Sequence, residues 1–76
     1  MLDVIRDVLS EYVDVPKESI TEATDFVQDL HMNSYDFVSL IGELEERLGV
    51  ETEDEELQEL HTVGDVAAYL KTKSAE

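Results

Sequence analysis

Apolar positions along this chain fall at spacings of three and four in three separate stretches, the spacing that lines up one face of an α-helix. In the first, Leu2, Ile5, Val8, Leu9 and Tyr12 share a face, with Asp3, Arg6, Asp7, Ser10 and Glu11 elsewhere. That spacing predicts a helix from about Leu2 to Val13, and Pro16 stops it, because the residue before a proline is biased to extended backbone. In the second, Phe37, Leu40, Ile41, Leu44 and Leu48 form the stripe of a helix from about Ser34 to Leu48. Asn33 is a strong N-cap for it, with Asp36 three residues on at the positive end of the dipole. Gly49 is its stop, able to turn left-handed, and Gly42 in its interior costs about 1 kcal/mol relative to alanine. In the third, Thr62 and Asp65 form a capping box with aspartate in place of glutamate, opening a helix whose Val63, Val66, Ala67 and Leu70 face inward. Lys71 and Lys73 near its end complement the dipole. A short helix over about Asp54 to Leu60 has only Leu57 and Leu60 as apolar anchors.

From Lys17 to Met32 the pattern is ambiguous. Ile20, Ala23, Val27 and Leu30 recur at helical spacing, yet Thr21, Thr24 and Asp25 prefer caps and turns. A structureless connection of that length is uncommon in a compact domain, and pattern alone does not choose. No alternating strand is evident, so the elements predict a small all-α bundle.

The length of 76 residues allows one domain, 1–76, near the size where a lone core is only marginally stabilising, with the last few residues frayed. No apolar run approaches the ~20 residues needed to span a bilayer. The start, Met1-Leu2-Asp3-Val4, lacks a basic leader, which predicts a cytoplasmic protein without a membrane span.

Charge narrows the partners. Twenty acids against five bases leave a formal net charge of −15. Nucleic-acid binding is excluded, since phosphate contacts need clustered Lys and Arg. Such a charge repels itself in the folded state and steers basic partners into encounter. The acids are also uneven: Glu43, Glu45, Glu46, Glu51, Glu53, Asp54, Glu55, Glu56 and Glu59 stand against one base, Arg47. That concentration reads as a docking surface, with a plainly solvated face as the other reading. Cysteine is absent, so disulfides and an intrinsic thiol are ruled out, and any thioester chemistry needs a sulfur added after translation. His31 and His61 share no ligand spacing, so no metal site is expected.

Ser34 falls in the first turn of the second long helix, where unpaired backbone N–H groups and the dipole favour a bound anion. On its own, such a serine reads first as a local hydrogen-bonding residue. Its surroundings change that. Asp29-Leu30, Asn33-Ser34-Tyr35-Asp36 and Leu44-Glu45-Glu46, followed by Thr62-Val63-x-Asp65 and Tyr69-Leu70, resemble the pattern of acyl carrier proteins at matching spacing over nearly the whole chain. The resemblance implies four helices, three longer and one short. It also implies an ordered long loop with a short helical turn between the first and second, pinned by Ile20, Phe26 and Leu30.

It further implies a carrier rather than an enzyme. Ser34 would bear 4′-phosphopantetheine, transferred from coenzyme A by a phosphopantetheinyl transferase. The arm's thiol would hold acyl thioesters for fatty acid, polyketide or related biosynthesis. No nucleophile–base–orienter set surrounds Ser34, so its hydroxyl is an acceptor and not a catalyst. Asn33, Tyr35, Asp36, Glu43, Glu45 and Glu46 become candidates for docking onto basic patches of acyl-transfer, ketosynthase or ligase enzymes, with the carrier itself a freestanding monomer. Phe26, Val27, Leu40, Leu44, Leu57, Leu60, Val66 and Tyr69 are core residues first, and in carriers that shelter an acyl chain the same side chains line the cavity. Five positions depart from the family pattern: His31 for the usual glycine, Asn33 for aspartate, Tyr35 for leucine, Ser39 for a frequent acid and Gly42 for a larger apolar residue. Leu57 stands where a smaller residue is common. An aminoacyl, D-alanyl or peptidyl carrier is the neighbouring possibility, and an acidic helical adaptor without a prosthetic group is the rival from another class.

Overall fold

The computed structural model describes residues 1–74. Helix α1 spans Leu2–Leu9, α2 Ser34–Leu48, α3 Asp54–Leu57 and α4 Val63–Ser74, with a 3-10 turn at Lys17–Ser19 in the long loop between α1 and α2. The only β pairing among the described residues is an isolated bridge between Asp25 and Thr62. The architecture is therefore the all-α arrangement of three longer helices and one short one.

The core takes Ile5, Val8 and Leu9 from α1, Leu40, Ile41 and Leu44 from α2, Leu57 from α3, and Val63, Val66 and Leu70 from α4. These are the stripes that the spacing predicts, closed on one another so that apolar surface leaves water. The loop adds four more buried apolar side chains, Ile20, Phe26, Leu30 and Met32. Its backbone is tied down as well. The Arg6 guanidinium donates to the Ile20 carbonyl (2.8 Å), Phe26 N–H to His61 O (3.0 Å), and Val63 N–H to Thr24 O (2.9 Å). Gly64 N–H donates to Glu22 O at 2.8 Å, an approach so close that a Cβ on Gly64 would sit 2.9 Å from that carbonyl. Only glycine lets α4 and the loop meet there.

Several expectations need correction. Helix α1 ends at Leu9 rather than Val13: beyond it Glu11 and Tyr12 donate to the third residue back (Val8, Leu9), so the chain continues as a tightened turn. Helix α3 is likewise one turn, and Glu59 and Leu60 close with the same short-range bonds. Val27 is not a core residue: it is 66% exposed, and Ala23 is also exposed. The cause is Asp25, whose Oδ1 accepts from both Val27 N–H and Gln28 N–H (2.8 Å each) and winds a local turn that breaks the helical register. Leu60 and Tyr69 are half-buried at the edge of the core. Ser74 is the last residue of α4 and not part of a frayed tail, and the expectation of fraying at 75–76 lies outside the described residues.

Candidate functional site

The approach to Ser34 is built one residue at a time. Asp29 Oδ2 accepts from Asp25 N–H (2.8 Å), closing the turn over residues 25–29. His31 N–H returns to Val27 O (3.1 Å) and Met32 N–H to Phe26 O (2.9 Å), which pulls Met32 into the core. Between them His31 takes a left-handed φ of 56°, a conformation that side-chain-bearing residues adopt at a cost. Asn33 is then extended (φ −88°, ψ 171°), and its Oδ1 accepts from Asp36 N–H at 2.7 Å. This is the N-cap that the sequence predicts, and it makes Ser34 the first helical residue.

Ser34 is exposed. It stands at the rim of a groove of about 340 Å³ walled by Ser34, Phe37 and Val38 of α2 and by Asp54, Leu57 and the following Gln58. The Phe37 ring is braced from behind by Phe26, with centroids 5.1 Å apart and an edge-on angle of 63°. Position, exposure and an adjacent apolar slot fit a phosphate-linked arm at this serine. The free N–H groups of the first helical turn point the same way.

Of the residues proposed as pocket lining, only Leu57 reaches this groove. Phe26, Leu40, Leu44 and Val66 are closed inside the core, Val27 faces solvent, and Leu60 and Tyr69 lie elsewhere on its margin. Val38 and Gln58 escaped sequence reasoning because neither lies on a predicted apolar stripe. Val38 is 58% exposed, one step round the helix from Phe37.

The docking candidates differ in their freedom. Tyr35 is 79% exposed, and Glu46 is exposed. Glu43 is held by the Arg47 guanidinium at 3.3 Å, and the same Arg47 nitrogen reaches Glu11 at 3.3 Å. Glu45 Oε2 accepts from both the N–H and the hydroxyl of Thr52 (2.7 Å each) and so fastens the segment after α2 onto the helix. At the start of α4 the Asp65 carboxylate accepts from His61 N–H (3.0 Å) and Thr62 N–H (3.2 Å), while Asp65 N–H donates to Thr62 Oγ1 (3.1 Å). The predicted capping box is complete. The His61 and Thr62 backbone donors hold the Asp65 carboxyl below its usual range.

Comparison with known proteins shows the family of the chain. The family described as "Phosphopantetheine attachment site" matches residues 3–70. The chain is 41% identical over 68 residues to an acyl carrier protein of Lactobacillus acidophilus, covering 90% of this chain and 85% of that one. It is 40% identical over 72 residues to one of Wolinella succinogenes, covering 95% of each. Among solved structures, the acyl carrier protein from Enterococcus faecalis superposes with a TM-score of 0.83 at 26% identity, covering 96% of this chain and 92% of that one. The chain belongs to the phosphopantetheine-attachment family of acyl carrier proteins, which are carriers and not enzymes.

Proposed function

We propose that the chain is an acyl carrier of a single domain, 1–76, with Ser34 as the attachment residue for 4′-phosphopantetheine. The observation that carries this reading is an exposed serine at the first position of an Asn33-capped helix, on the rim of an apolar groove. In the attachment reaction the Ser34 Oγ forms the new bond to the phosphate of coenzyme A nearest the pantetheine. The hydroxyl proton goes to a base on the phosphopantetheinyl transferase, and adenosine 3′,5′-bisphosphate leaves. This chain's part is to present the hydroxyl and leave its approach open, with the N–H dipoles of the first turn beside the phosphodiester. The arm supplies the thiol that a cysteine-free chain lacks, and acyl thioesters for fatty acid, polyketide or related biosynthesis are its cargo.

Asn33, Tyr35, Asp36, Glu43, Glu45 and Glu46 form the docking face for enzymes with Lys and Arg patches. Within it Tyr35 and Glu46 are free to meet a partner, whereas Glu43 and Glu45 also hold the molecule's own segments together. Incubation with coenzyme A, Mg²⁺ and a broad-specificity transferase adds about 340 Da to the wild type and nothing to Ser34→Ala, read by intact-protein mass. No gain in the wild type, or an equal gain in Ser34→Ala, would refute the assignment. The adaptor reading would then be favoured, with its dependence on Glu45 and Glu46.

A further inference from the structure

Helix α3 is a single turn of four residues with one buried side chain, Leu57, and no side-chain bond at its N-cap. So short a helix has little stability of its own, because the first turn is the costly one to form. Its position must be imposed by its neighbours. From α4, the Tyr69 hydroxyl donates to Glu56 Oε1 at 2.6 Å and accepts from Glu53 N–H at 3.0 Å. Lys73, one turn further on, pairs with the same Glu56 oxygen at 3.3 Å and lies 5.4 Å above the Tyr69 ring. One phenol thus grips both the residue that precedes α3 and a residue within it. Asp54, Leu57 and Gln58, from the same short segment, form one wall of the groove whose opposite wall is Ser34, Phe37 and Val38.

We propose that the Tyr69 hydroxyl is a positioning group that fixes α3 at its distance from α2, and thereby sets how long an acyl chain the groove beside Ser34 can shelter. The fastening of α3 stands on its own. The consequence for acyl chains rests on the reading of Ser34 as the attachment residue. Tyr69 acts from behind α3 and outside the groove, so it governs the width of the slot without touching what lies in it.

The test uses Tyr69→Phe, which keeps the ring under Lys73 and removes both hydrogen bonds, and Glu56→Gln, which keeps an acceptor for the phenol and loses the charge opposite Lys73. Amide hydrogen exchange is measured first on the protein without an arm. In Tyr69→Phe the amides of Glu56, Leu57, Glu59 and Leu60 are expected to exchange on the order of ten-fold faster, with the Leu44 amide in α2 unchanged and Glu56→Gln intermediate. Unchanged exchange over residues 56–60, or equal acceleration in α2, overturns the proposal. The arm-bearing proteins are then loaded with a short-chain or a long-chain acyl group, and thioester cleavage by hydroxylamine is timed. Wild type is expected to protect the short chain over the long one, and Tyr69→Phe to narrow that preference. An identical chain-length profile in the two proteins overturns the groove half. A wild type that accepts no arm overturns that half together with the Ser34 reading, and the exchange data still decide the fastening.

Discussion

At the scale of single residues, two positions carry avoidable costs. His31 holds a left-handed φ of 56°, which strains an L-residue by about 1–2 kcal/mol. Glycine there would relieve the strain but bring about 0.4–1 kcal/mol of extra unfolded-state entropy. His31→Gly is therefore expected to stabilise by roughly 0.5–1 kcal/mol, measured by urea unfolding. Gly42 is different: a Cβ built on it meets nothing within 4 Å, so the residue has no packing reason to be small. Gly42→Ala should raise stability by about 1 kcal/mol through helix propensity alone, and a loss in the same titration would contradict the room seen beside it. The sequence marks both sites as departures, yet it does not say which one is strained, because φ at residue 31 depends on bonds made by Val27 and Met32.

At the scale of elements, what is legible is what local chemistry decides. The Asn33 cap, the Gly49 stop (φ 67°) and the Thr62–Asp65 box all occur where side-chain type predicts them. Apolar spacing overextends the ends of α1 and α3, because it continues into Tyr12 and Leu60 while the backbone has already tightened to shorter-range bonds. Residues 17–32 resist reading for a further reason: Ile20 and Phe26 are fixed by contacts with distant parts of the chain, which no window of pattern contains. The groove beside Ser34 is only partly legible in the sequence, since one wall comes from the short α3 segment, which local pattern does not position.

The Asp65 cap has a pH signature. Its folded carboxyl titrates below the ordinary 3.8, first because of the His61 N–H and then that of Thr62. A depressed carboxylate contributes stability that is fully present above the unfolded value and is lost as pH falls through the folded one. Asp65→Asn is expected to melt lower than wild type at neutral pH and to show a shallower decline below pH 3.8, followed by circular dichroism. Parallel acid limbs in the two proteins would contradict the assignment.

At the scale of the whole molecule, electrostatics divides into an inward and an outward part. Arg6, Lys17, Arg47 and Lys73, four of the five bases, pair with Asp3, Asp7, Glu11 with Glu43, and Glu56 respectively. Three of these bases join one element to another, and among the described residues most of the remaining acids are exposed. Exposed pairs contribute about 0–1 kcal/mol each, whereas a net charge of −15 repels over the entire surface. Salt weakens both, and the repulsion is the larger. Moderate salt or Mg²⁺ should therefore raise the melting temperature, by about 4–8 °C for each kcal/mol of repulsion screened. A flat calorimetric midpoint across ionic strength would mean that the pairs and the repulsion cancel.

The hydrogen bonds that Phe26 N–H donates to His61 O, and that the Thr24 and Glu22 carbonyls accept from Val63 and Gly64, join an early part of the chain to one made much later. During synthesis the path leading to Ser34 therefore stays without its supports until residues 61–64 have left the ribosome. A truncation that removes residues 61–74 would thus disorder a serine whose own codon and neighbours are intact.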